Sequence, residues 1–150
     1  MNTVTRWRGS NSQSSQKKSF YTKISDKKAI LCTILFSTLI GTYLDLIMVG
    51  NGLYSFPNRP FPTIFSINIL FTFVILPVLT VSIIYLFKKL TTLLRLGFVL
   101  IIFFLLPFIE HLSEFFGVFI HSNDWHHLYS SFGYTFFIVI IWKFYTWLCP

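Results

Sequence analysis

The fold is decided by an apolar run that ends in a polar stretch, LGFVLIIFFLLPFIEHLSEFFGVFIHSNDWHHLY, residues 96–129. Residues 96–109 contain no charged side chain, whereas residues 110–129 hold all four histidines and three of the five acids of the chain. An apolar run of this kind is typical of a membrane helix. Ionisable groups at the end of such a run are candidates for a functional site.

The whole chain has the composition of a membrane protein. Of its 150 residues, 54% are hydrophobic and 11% are charged, whereas a soluble domain carries about 25% charged residues. Four apolar runs predict an all-α polytopic membrane domain over residues 29–148, with transmembrane helices at about 29–49, 61–87, 96–121 and 125–148. Residues 1–28 are polar and basic, and they predict a disordered cytoplasmic tail.

The positions of lysine and arginine predict the orientation in the cell membrane. Seven of the twelve precede residue 29, three lie between the second and third helices, one lies in the first loop and none lies in the third loop. Cytoplasmic segments carry the excess of these residues. We therefore expect a multi-pass, up-down bundle with cytoplasmic N and C termini and the lipid bilayer as partner. The bases do not cover a folded face, so nucleic acid is not expected as a partner.

Small residues line one face of the first predicted helix. They recur at four-residue spacing and end in an acid, in the order Ala29, Thr33, Ser37, Gly41 and Asp45. Small side chains allow a second helix to approach closely in lipid. This ridge predicts a packing surface, either inside the bundle or in a homo-oligomer through helix one.

Polar side chains from each predicted helix reach a similar depth. With a rise of about 1.5 Å per residue, they fall in the outer third of a hydrocarbon core about 30 Å thick. The predicted polar cluster consists of Asp45, Arg59, Asn68, Glu110, Glu114 and Tyr134. Two carboxylates at one depth should not both be ionised without a cation. We expect a shared proton, a salt bridge from Arg59, or a bound metal. The cluster is either a hydrogen-bonded network between helices or a pocket that opens outward.

The histidines are the candidate metal ligands of the chain, His111, His121, His126 and His127. Together with the nearby carboxylates they are residue types that bind zinc or iron. However, no HExxH or Glu-x-x-His pair is present. Adjacent histidines on a helix also point about 100° apart. A divalent metal is an open alternative, and we predict no other cofactor and no catalytic residue.

Three segments carry a resemblance to a known family. They are GTYLD at residues 41–45, SFPNRPFP at 55–62 and HSNDWHHLYSSFGY at 121–134. Over about Leu39–Leu148 the chain resembles small four-helix integral membrane proteins of spore-forming Gram-positive bacteria. The resemblance implies the four-helix fold and implies no activity.

Three classes of function follow from these patterns. The preferred one is a small non-catalytic membrane protein whose outer-leaflet polar cluster binds an ion, a lipid or a partner. The first alternative is an outward-facing metal-dependent membrane enzyme. The second is a small oligomeric proton- or cation-coupled transporter that uses Asp45 and Glu110.

Overall fold

The computed structural model describes residues 11–149, with side chains described from residue 25 onward. The elements are α1 (Asn11–Gly50), β1 (Tyr54–Ser55), a π-helical turn (Phe71–Ile75) that continues into α2 (Leu76–Lys89), α3 (Thr92–Phe115), β2 (Ile120–His121) and α4 (His127–Leu148). Within these residues, four helices are long and apolar enough to cross a membrane, namely Ser25–Gly50, Phe71–Lys89, Thr92–Phe115 and His127–Leu148. The prediction of four such helices is confirmed.

α1 begins inside the predicted tail. It starts at Asn11 and includes residues 11–28, although its membrane-length part starts only at Ser25. The physical reason is that residues 11–40 contain no proline or glycine that would interrupt a helix. Residues 1–10 of the predicted tail lie outside the described residues.

The second membrane-length helix begins later than predicted, at Phe71 instead of residue 61. Two prolines flank Phe61, whose φ of 53° lies in the left-handed region and is incompatible with a helix. Further along, the side-chain oxygen of Asn68 accepts a hydrogen bond from the Phe71 N–H at 3.3 Å. Asn68 therefore caps the start of this helix, and it does not lie inside the span as the depth comparison assumed.

Two glycine turns end α1 and α3. Gly52 and Gly117 have φ values of 71° and 66°, which glycine adopts without steric cost. In both turns the residue after the glycine donates its N–H to the carbonyl five positions back, at 3.0 Å. This pattern is the Schellman motif, which satisfies the last carbonyls of a helix. α3 consequently ends at Phe115, whereas the sequence predicted a helix to residue 121.

A short antiparallel ladder joins the two segments that follow these turns. Tyr54 pairs with His121, and Ser55 pairs with Ile120. Side chains of directly opposed residues in such a pair lie on the same face. The ladder therefore holds the chain after α1 against the chain after α3, and we call this end of the bundle the ladder end.

The small-residue ridge of α1 packs inside the bundle. Its members Ala29, Thr33 and Ser37 are buried. The hydroxyls of Ser37 and Thr80 lie 2.8 Å apart across the contact with α2. A methyl group added at Gly41 would overlap the side chain of Leu76. The ridge is thus used within one chain, and a homo-oligomer through helix one would need the opposite, exposed face of α1.

α3 is the most loosely packed helix. Its main helix contact is α4, and none of its residues is buried. Large apolar side chains on it are strongly exposed, including Leu93 at 77%, Phe104 at 75% and Phe115 at 82%. In a bilayer, lipid covers such a face, so packing alone fixes α3 weakly. Side-chain pairs at the ladder end provide a further attachment.

Candidate functional site

Two acids and two histidines meet at the ladder end, and we call Glu110, Glu114, His121 and His127 the Glu/His cluster. One possible ligand atom from each of Glu114, His121 and His127 lies within 4.8 Å of the others. All three side chains are half-buried. The cluster therefore combines residues from three successive elements, α3, β2 and α4, all within residues 110–127.

The local structure explains how these four side chains converge. Glu110 and Glu114 lie one helical turn apart and so share a face of α3. The turn at Gly117 then reverses the chain, and the ladder fixes His121 opposite Tyr54. α4 begins at His127, which faces back toward α3. The continuing helix expected from residue 110 to residue 121 is thus replaced by a turn, and the turn still brings Glu114 and His121 together.

Two carboxylate–imidazole pairs hold the cluster. His127 Nδ1 lies 2.9 Å from Glu110 Oε2, with the two side chains 33% and 12% exposed. His121 Nδ1 pairs with Glu114 Oε1. The two imidazole rings lie edge to face, with centroids 4.9 Å apart. Because Glu110 occupies Nδ1 of His127, the Nε2 atom of that ring remains available to bind something else.

This combination of groups fits a divalent transition metal. Two imidazole nitrogens and one carboxylate oxygen are ligands that zinc binds. Metal-ligating histidines commonly donate their other ring N–H to a carboxylate, as His127 can to Glu110. The site lies between the C-terminal end of α3 and the N-terminal end of α4, whose dipoles oppose each other. The attraction for a cation therefore comes from the two carboxylates.

The other two candidate histidines lie outside the cluster. The His111 side chain is 81% exposed, and its Nδ1 is 3.9 Å from Glu114 Oε2. His126 is exposed and its ring packs against Tyr129, with centroids 5.5 Å apart. The structure thus brings together two of the four predicted histidine ligands.

A second polar pair lies deeper, at Asp45. The Tyr54 hydroxyl donates a hydrogen bond to Asp45 Oδ1 at 2.7 Å. The pKa of the Tyr54 phenol is raised above its ordinary value, first by burial and then by the adjacent Asp45, with smaller contributions from Tyr134 and Glu110. No hydrogen bond joins Asp45 to Glu110 in the described part of the chain. Tyr54 and the predicted cluster member Tyr134 both lie close enough to Asp45 and Glu110 to be affected by their charges.

Arg59 and Asn68 of the predicted cluster have local roles. The Arg59 guanidinium donates to three backbone carbonyls of its own loop, those of Phe56 at 2.6 Å, Pro62 at 3.2 Å and Phe65 at 2.6 Å. It therefore stiffens the loop and does not form the salt bridge that we expected with the buried acids. Asn68 caps the second membrane helix, as described above.

A polar cluster at the opposite end of the bundle was not predicted. Lys88 Nζ lies 2.9 and 2.8 Å from the two carboxylate oxygens of Asp26, and the Tyr145 hydroxyl also donates to this carboxylate. Sequence reasoning placed Asp26 in a disordered tail. The available signal was that Asp26 is the only acid in the first 28 residues, among seven bases. This cluster ties α1, α2 and α4 together.

Fold and site together define a four-helix protein with helices of membrane length and a Glu/His cluster at one end. Comparison with known proteins gives no match to a protein-family model, to a curated protein or to a solved structure. The function must therefore come from the chemistry of the residues themselves.

Proposed function

We propose that this is a non-catalytic integral membrane protein that binds one divalent transition-metal ion, of the zinc class, at the Glu/His cluster. The observation that supports this function most directly is the convergence of Glu114, His121 and His127, whose possible ligand atoms lie within 4.8 Å of one another. Their residue types are those that zinc prefers.

The proposal includes the orientation in the membrane. The four helices cross the cell membrane as an up-down bundle, with both termini in the cytoplasm and the ladder end outside. The lysine and arginine distribution supports this orientation, because ten of the twelve lie before residue 29 or at the adjoining ends of α2 and α3. The Glu/His cluster would then take its metal from the external medium.

The four side chains have different roles in metal binding. Glu114, His121 and His127 supply the ligand atoms, and Glu110 orients the His127 ring through Nδ1. Imidazole nitrogens and carboxylate oxygens bind a metal only in their deprotonated forms, so protons compete with the metal for these ligand atoms. Metal binding therefore releases protons, and affinity falls as the pH falls. The bound ion would also tie α3 to α4, which supports a helix that is otherwise weakly packed.

The test is a metal titration of the full-length protein purified in detergent and transferred to lipid nanodiscs. Zinc is titrated in competition with a chromophoric chelator, and cobalt is added separately to report coordination geometry by its visible spectrum. We expect one zinc ion per chain. The substitutions His121→Ala and Glu114→Gln should abolish this binding, whereas His126→Ala, at an exposed histidine outside the cluster, should leave it unchanged.

Two results would contradict the proposal. The first is the absence of stoichiometric zinc in the folded wild-type protein. The second is equal loss of zinc in the His126→Ala control and in the His121→Ala variant, because that would place the metal elsewhere or make it non-specific. Circular dichroism of each variant checks that its helices are retained.

A metal-dependent enzyme is the second candidate, and one observation favours it. Three protein ligands leave a coordination position for water, which is the arrangement of catalytic zinc sites. Hydrolysis of a chromogenic ester by the zinc-loaded protein would support this function if His121→Ala removed it. Zinc binding without hydrolysis would support the non-catalytic function.

A further inference from the structure

The metal proposal does not use Asp45, a half-buried acid of the first membrane-length helix. Its Oδ1 accepts the hydrogen bond of the Tyr54 hydroxyl at 2.7 Å. Its Oδ2 is buried and has no hydrogen-bond partner among the residues described. Buried polar atoms are normally paired, so an unpaired carboxyl oxygen calls for an explanation. A small bound species at Oδ2 is one such explanation.

Among the side chains described, from residue 25 onward, no positive one forms a hydrogen bond or ion pair with this carboxyl. The ion pairs formed by the described side chains involve Asp26, Glu110 and Glu114, and the Arg59 donors are all directed to its own loop. Between residues 61 and 87 the only ionisable side chain is Tyr85, which is exposed.

Three ionisable groups from other elements lie near Asp45 or near its hydrogen-bond partner. They are Tyr54 on β1, which donates to Asp45, and Tyr134 on α4 and Glu110 on α3, which are close enough to affect Tyr54 by charge. Two of these groups are phenols and the third is an acid, so none of them supplies a positive charge. An ionised carboxylate at Asp45 would be buried in an apolar helix with a single hydrogen bond, which is strongly unfavourable.

We propose that Asp45 is a proton-binding site, with the proton on Oδ2 and the carbonyl oxygen Oδ1 held by the Tyr54 hydroxyl. Protonation removes a charge that no described side chain balances, and Oδ2 is the oxygen that the Tyr54 hydroxyl leaves free. Asp45 lies five residues before the end of α1, or about 7.5 Å along the helix axis. The proton is therefore exchanged from the ladder end, past Tyr54.

This site is separate from the metal site. The recorded side-chain hydrogen bond of Asp45 is with Tyr54, and none links it to Glu114, His121 or His127. The inference does not rest on metal binding, and it can be tested in metal-free protein.

Infrared spectroscopy of the metal-free protein in nanodiscs tests the proposal at neutral pH. A protonated carboxyl group has a carbonyl stretch that an ionised carboxylate lacks. We expect such a band in the wild type, its loss in Asp45→Asn, and a shift on transfer to heavy water because the proton exchanges. Asp124→Asn is the matched control, since Asp124 is exposed in a loop, and it should keep the band.

Tyr54→Phe provides a second, independent test. It leaves the Asp45 carboxyl in place but removes the hydrogen bond to Oδ1. The carbonyl band of Asp45 should then move to higher frequency. If Asp45→Asn leaves the band of the wild type intact, or if the wild type has no such band, Asp45 is ionised and the proposal fails. If Asp45→Asn does not fold, an unshifted band in Tyr54→Phe overturns it.

Discussion

Replacing Glu110 tests whether this residue orients a metal ligand. Its carboxylate oxygen lies 2.9 Å from His127 Nδ1, and its side chain is only 12% exposed. Removing a carboxylate that supports a metal-bound histidine lowers metal affinity about 10- to 100-fold, which corresponds to roughly 1.4–2.7 kcal/mol. Glutamine keeps a neutral acceptor for the His127 N–H, and charge-assisted hydrogen bonds are roughly twice as strong as neutral ones. We therefore expect Glu110→Gln to lower zinc affinity about 10-fold and Glu110→Ala about 100-fold.

The assay is a competition titration with a chromophoric chelator, performed at constant pH in nanodiscs. The stoichiometry should stay at one zinc ion per chain in both variants, because Glu110 is not itself a ligand in the proposed site. His126→Gln serves as the control, since His126 lies outside the cluster. If Glu110→Ala bound zinc as tightly as the wild type, Glu110 would have no role in orienting His127. If it lost one whole binding site, Glu110 would itself be a ligand.

Three further predictions concern the fold. In a double-mutant cycle, Ser37→Ala and Thr80→Val should show a coupling of about 0.6 kcal/mol, measured by unfolding in detergent, because their 2.8 Å contact is one interhelical hydrogen bond. Gly117→Ala should destabilise the protein by about 1–2 kcal/mol, because Gly117 has a φ of 66° that alanine adopts only with strain. Gly97→Ala should instead stabilise α3 by up to about 1 kcal/mol, because Gly97 lies inside the helix and no atom lies near the added methyl group. Because the pKa of Tyr54 is raised in the folded protein, the neutral phenol is favoured by folding. The contribution of Tyr54 to stability should therefore be constant below a pH of about 10 and be lost above it, so the alkaline fall in stability should be smaller in Tyr54→Phe.

Each of these three has an outcome that would contradict it. Additive effects of the Ser37 and Thr80 substitutions would mean that the two hydroxyls do not interact. If alanine changed stability equally at Gly117 and at Gly97, the positive φ of Gly117 would not explain its effect. An identical alkaline decline in Tyr54→Phe would assign the titration to another group.

The membrane-length helices could be predicted because their signal is local. Each is an apolar run in the sequence, and the ridge on α1 follows from simple spacing along one helix. The start of the second such helix could not be placed, because the apolar residues near Phe61 and Phe65 belong to a loop. Their hydrophobicity is similar to that of the helix. What keeps them in a loop is the positive φ at Phe61 and the hydrogen bonds of Arg59 to loop carbonyls.

The candidate site could be predicted only in its residue types. Sequence analysis gathered the acids and histidines of residues 110–127, but it could not select His121 and His127 over His111 and His126. That selection depends on a two-residue ladder, which is too short to leave a periodic pattern. The pair between Tyr54 and Asp45 has the same origin, since the ladder fixes where Tyr54 can reach.

The two glycine turns have a consequence for the architecture of the whole chain. Asp45 lies seven residues before Gly52, and Glu110 lies seven residues before Gly117. Each turn is followed by a strand, and an antiparallel pair of strands has a local two-fold axis. In the described part of the chain, two segments therefore share the order helix, glycine turn and strand, with an acid seven residues before each glycine. The two segments differ in the group that pairs with the acid, which is the Tyr54 phenol at Asp45 and the His127 imidazole at Glu110.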